Sequence, residues 1–86
     1  MNHNSIKKVI DGKIVPLAKE QWRYGEKFLA VKLTTVKEFG IKEDEMYYAL
    51  IELAKRNISV TGLDEKVFEC SDNHKFVAEY NMYVKE

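Results

Sequence analysis

Residues 43–57 constrain this chain more than any other stretch. Glu43, Asp44 and Glu45 place three carboxylates where the exposed amides of a helix start favour negative charge, and Lys55 and Arg56 place two bases where the closing carbonyls favour positive charge. Between these ends Met46, Tyr47, Ala49, Leu50, Ile51, Leu53 and Ala54 cover roughly 200° of the circumference at about 100° per residue, wider than the stripe of a helix lying on a surface. The pattern predicts a helix over 43–57 packed on more than one side. Its exposed strip would be Glu45, Tyr48, Glu52 and Lys55, with Asn57 as a left-handed stop.

A helix this apolar needs partners, and 86 residues can supply them from a single domain with a modest core. Such a chain is too short to enclose a deep substrate cavity, so a ligand is expected to meet a surface. No long apolar run or leader-like start is present, which predicts a cytoplasmic protein without membrane association. The single cysteine, Cys70, has no partner for an internal disulfide, and this fits a reducing compartment.

Upstream of the central helix, Ile6–Val15 reads as two short apolar pieces around Asp11-Gly12, a dipeptide suited to a two-residue hairpin turn. Pro16 suits the first turn of a helix, which predicts a short helix over 17–24 ending at Gly25, with Leu17, Ala18 and Trp22 facing inward. Residues 27–33 fit two patterns, since Leu29, Val31 and Leu33 alternate as in a strand while Phe28, Leu29 and Leu33 could line a helix, and the strand is the reading kept. Thr35 with Glu38 forms a capping-box pattern that opens a helix ending at Gly40. Downstream, Ile58 and Val60 alternate with polar residues, and residues 67–70 pair with a long strand over 75–84 across Ser71–His74. The expected fold is therefore α+β: an N-terminal arm or small hairpin over 1–15, a helical core over 16–61 and a β-hairpin wing over 62–86. Three short helices would pack with a C-terminal antiparallel hairpin or three-stranded sheet.

The stretch 33–58, in which Val36, Phe39, Gly40, Ile41, Met46, Ala49, Leu50, Leu53, Asn57 and Ile58 hold the apolar and turn positions, resembles the core of winged helix-turn-helix domains. The element order, helix, strand, helix, helix, then strands, is similar to that fold over about two-thirds of the chain. The resemblance implies that helix 43–57 would be the one laid in a DNA major groove. Its leading residues here are Lys42, Glu43, Asp44 and Glu45, and three carboxylates are repelled by a duplex carrying one charge per about 1.7 Å. This departure points to a winged-helix-like scaffold that binds protein.

The formal charge is zero, yet residues 1–33 hold seven bases against three acids, a net +4, while 58–86 hold three against six, a net −3. Two sets of candidate contacts follow. Tyr24, Glu45, Tyr48, Glu52 and Tyr83 are the expected protein-binding residues, because large rings in open positions anchor interfaces at low entropic cost; Trp22, Tyr47 and Tyr80 are assigned to the core. Lys7, Lys8, Lys13, Lys19 and Arg23 form a basic segment that could contact nucleic acid, although lysine is poorer than arginine at bidentate phosphate and guanine contacts.

Cys70, Asp72, His74 and His3 lack the paired spacing of a structural zinc site, and Gly12, Gly25, Gly40 and Gly62 are too dispersed to cradle a phosphate. No metal, cofactor or catalytic set is expected. The sequence therefore reads as a non-enzymatic regulatory or inhibitory protein that binds a protein partner. The alternative is a DNA-binding transcription regulator using the basic N-terminal segment and wing. The strand over 75–84 would also offer an edge for a homodimer closed by Tyr83.

Overall fold

The structure is a computed structural model that describes residues 2–63 and Tyr80. Within them the chain folds as a small α+β unit. In order it comprises α1 (His3–Val9), a π-helical segment (Ile10–Ile14), α2 (Val15–Gln21), β1 (Leu29–Lys32), α3 (Leu33–Glu38), a 3₁₀ turn (Glu43–Glu45), α4 (Met46–Lys55) and β2 (Ile58–Thr61).

The first helix departs most from expectation. Residues 3–21 run as one continuous helical stretch, so the hairpin expected around Asp11-Gly12 is corrected to helix. Asn2 caps its start, its side-chain Oδ1 accepting the Ser5 amide at 2.8 Å. Ile6, Ile10, Ile14 and Ala18 then recur at every fourth position, and none is more than 1% exposed. In a regular α-helix each step of four overshoots a full turn by about 40°, which would carry such a row away from the core within three steps. The wider π turn in the middle of the row offsets that drift. It lies just before Pro16, which has no amide to donate to the Gly12 carbonyl, and in it the Val15 amide donates to the Ile10 carbonyl five residues back. The apolar spacing thus overrides the Asp-Gly turn signal.

β1 and β2 form a two-stranded parallel sheet, with Leu29 opposite Ile58, Val31 opposite Val60 and Lys32 opposite Thr61. The antiparallel hairpin expected of the strands is thereby corrected. Parallel strands need a long crossover, and α3 with α4 provides it. The expected wing over 62–86 lies outside the described residues except for Gly62, Leu63 and Tyr80. Tyr80 has helical rather than extended backbone, and its hydroxyl accepts the Val60 amide at 3.4 Å.

α3 begins two residues before the Thr35–Glu38 box would open it, because Leu33 and Val36, one helical turn apart, are both buried. It stops at Gly40, whose φ of 95° is a conformation that side chains disfavour. α4 follows as expected and ends at Asn57 in the left-handed region (φ 59°). Met46, Ala49, Leu50, Leu53 and Ala54 are each at most 1% exposed, and every large side chain among them contributes about 1.5–3 kcal/mol relative to exposure. These residues meet the stripe of the first helix and the inward side chains Val31, Ile58 and Val60 of the sheet in one core.

Candidate binding surface

Gln21 is the last residue of α2, and Trp22 leaves the helix with extended backbone (ψ 136°). The Glu26 amide then donates to the Arg23 carbonyl at 3.1 Å, and Gly25 (φ 95°) takes the third position of this turn, as a type II turn requires. Tyr24 is left at its apex, 98% exposed. The Trp22 ring lies 6.4 Å from it, edge to face at 74°, and Trp22 Nε1 donates to the Glu26 carbonyl at 3.0 Å. Lys27 Nζ sits 5.5 Å from the centre of the half-buried Phe28 ring. The local sequence therefore builds a hydrogen-bonded projection in which the indole is anchored through Nε1 and the Tyr24 ring stands open beside it.

This arrangement corrects the assignment of Trp22 to the core. Its ring is 42% exposed, because the helix ends one residue too early to carry it inward beyond Ala18. The signal was present in Gly25: a left-handed residue three positions on reverses the chain and draws the indole over the turn. Tyr24, by contrast, stands open as expected.

Lys7, Lys8, Lys13, Lys19 and Arg23 are all exposed along this helix and its turn, and none forms an ion pair among the described residues. At 1.5 Å per residue Lys7 and Lys19 are about 18 Å apart along the axis, so they form a row rather than one cluster.

The strip expected to be open on α4 is instead engaged internally. Glu52 is only 5% exposed, which corrects its placement on the surface. Its Oε2 is 3.1 Å from Lys55 Nζ and its Oε1 3.4 Å from Arg56 Nη1. Arg56 also donates through Nη1 to the Glu52 carbonyl at 2.7 Å, and through Nε and Nη2 to Asp11 at 2.6 and 3.2 Å, bridging α4 to the π segment. Burial pushes the Glu52 carboxyl up, but hydrogen bonds from Lys55 and Arg56 outweigh it and hold the group below its ordinary range. The Arg56 hydrogen bond likewise holds Asp11 below its ordinary range.

Glu45 is half-buried, and its Oε1 accepts the Lys42 amide at 3.3 Å. Tyr48 is half-buried too, corrected from an open position, its ring stacked on His3 at 3.7 Å and 5°. Glu43 Oε1 meets Lys37 Nζ at 3.5 Å. Tyr83 lies outside the described residues, as does the dimer edge proposed with it.

A shallow cavity of about 260 Å³ opens at the carboxyl ends of both strands, lined by Lys32, Leu33, Thr34, Thr61 and Gly62. It brings one amine near two hydroxyls, and Thr61 Oγ1 already donates to the Val31 carbonyl at 3.4 Å. Among the described residues no three histidine, cysteine or acidic side chains converge as a metal site would require, and no helix is long and apolar enough to cross a membrane. Cys70, Asp72 and His74 lie outside those residues. In comparison with known proteins, no family model, no curated protein and no solved structure matches this chain.

Proposed function

We propose that this is a non-enzymatic regulatory or inhibitory protein that binds another protein, on a scaffold with the element order of a winged helix, and that the contact centres on the Trp22–Phe28 turn. The observation that carries this reading is Tyr24, 98% exposed beside a partly exposed tryptophan on a hydrogen-bonded turn. A ring this exposed has little structural task, and beside an arginine and a tryptophan it has the composition of an interface hot spot. Glu45, Glu52 and Tyr48 support the same shift of attention, since the two carboxylates are bonded within the domain and the Tyr48 ring is stacked on His3. Affinity capture with the tagged chain and with Tyr24→Ala tests it. A protein partner retained by the parent and lost by the variant is expected; capture of nucleic acid with no protein partner overturns the reading.

A second reading, a DNA-binding transcription regulator, has one observation in its favour: the exposed row Lys7, Lys8, Lys13, Lys19 and Arg23, which forms no ion pair among the described residues. It requires duplex binding that weakens steeply with salt, by close to one unit of logarithmic slope per phosphate neutralised. A flat response removes it.

A further inference from the structure

We infer that the partner segment received by the Trp22–Phe28 turn is an acidic stretch of protein in which carboxylates flank an apolar side chain. This rests on the docking reading above and goes further by assigning the chemistry of what docks. The first argument is the identity of three consecutive residues. Trp22, Arg23 and Tyr24 are the three residue types most enriched where interfaces concentrate their binding energy, and here all three are exposed at one turn. The second is charge. Lys19, Arg23 and Lys27 flank the rings along the chain, three exposed cations that find no carboxylate partner among the described residues. The acids of the same stretch, Glu20 and Glu26, leave a net positive surface. Asp11, the remaining acid of the first helix, is neutralised by Arg56. An incoming carboxylate would meet these cations, and an incoming apolar side chain would meet the Tyr24 and Trp22 rings.

Single-stranded nucleic acid is the other polyanion that aromatic and basic residues attract, and the geometry disfavours it. Trp22 and Tyr24 stand edge to face at 74°, so one base cannot stack on both rings. The chain has only two arginines, and Arg56 is committed to Asp11 and Glu52, so one guanidinium remains for phosphate.

Trp22 is the sole tryptophan, so its emission reports directly on the turn. The full chain is titrated with a synthetic peptide alternating glutamate with leucine, with the same peptide carrying glutamine for glutamate, and with oligothymidylate. The expected result is a saturable emission change with the glutamate peptide, weaker by about tenfold or more for the glutamine peptide and for Tyr24→Ala and Arg23→Glu. Both substitutions lie at exposed positions, and an unchanged urea midpoint verifies that each variant is folded. An equal response to both peptides, no response to either, or tighter binding of oligothymidylate overturns the inference. If the peptides fail while Tyr24-dependent protein capture persists, the acidic chemistry is wrong and the docking reading stands; if capture does not depend on Tyr24, the docking reading itself falls.

Discussion

The first helix with its following turn and the fourth helix are both amphipathic and both carry charged and aromatic residues on the side away from the core, yet they dispose of those residues oppositely. On α4 and the 3₁₀ turn before it, Glu52 is held by Lys55 and Arg56, Tyr48 is covered by His3 and Glu45 accepts a backbone amide. On the first helix and turn, five lysines, Arg23, Tyr24 and much of Trp22 face water. The contrast teaches that a polar strip on a helix is a candidate contact only after its internal bonds have been accounted for. α4 lies in the middle of the molecule, where neighbours reach its edges from several sides. The turn lies past the end of a helix, where nothing described closes over it.

The comparison breaks first at the core. Leu53→Ala is expected to cost about 2–5 kcal/mol, because Leu53 is fully buried between the two helices and the sheet. Urea unfolding of the variant measures it, and a cost below about 1 kcal/mol would mean that α4 is not the central element. Next comes the ion network. Glu52→Ala removes a buried carboxylate and leaves Arg56 with one partner fewer, an expected loss of about 1–2 kcal/mol; the figure is below that of a fully buried pair because Lys55 remains in water.

Gly12→Ala sharpens the account of the first helix. Gly12 lies within the helical stretch, is not among the positive-φ glycines, and an added Cβ there meets nothing within 4 Å. Alanine should therefore stabilise the protein by about 0.4–1 kcal/mol. In a hairpin turn needing positive φ the same change would destabilise, so the sign of the shift in thermal midpoint decides between helix and turn.

Acid tests the bridge between the two regions. Both Asp11 and Glu52 are held below their ordinary carboxyl ranges in the folded protein. Their contribution is thus complete above the unfolded values near pH 4 and is lost as pH falls through the lower folded values. Urea midpoints followed from about pH 5 to about pH 2 should decline, and Arg56→Gln should flatten that decline while costing roughly 1 kcal/mol at neutral pH. The smallest effect belongs to the turn: Tyr24→Ala should change stability by less than about 0.5 kcal/mol, since the ring is surrounded by water. A larger loss would show that the turn supports the fold and would bring the two regions back into one class.

Much of this was legible in the residues themselves. Carboxylates at one end, bases at the other and a broad apolar arc between them determined α4; Gly40 and Asn57 determined where two helices stop; and alternating side chains determined β1 and β2. The exposure of Tyr24 was legible for the same local reason, its place beside Gly25. The tertiary structure decided what depends on distant partners. It joined residues 3–21 into one helix, because a row of four buried side chains outweighs a two-residue turn signal. It ran the strands parallel, because two helices connect them. It buried Glu52, whose partners Lys55 and Arg56 lie one turn along the same helix, and it covered Tyr48 with His3 from elsewhere in the chain, while Trp22 stayed outside. Periodicity and capping act over one helical turn and can be read in order along a sequence, whereas a salt bridge between Asp11 and Arg56 exists only once the fold has brought the two together.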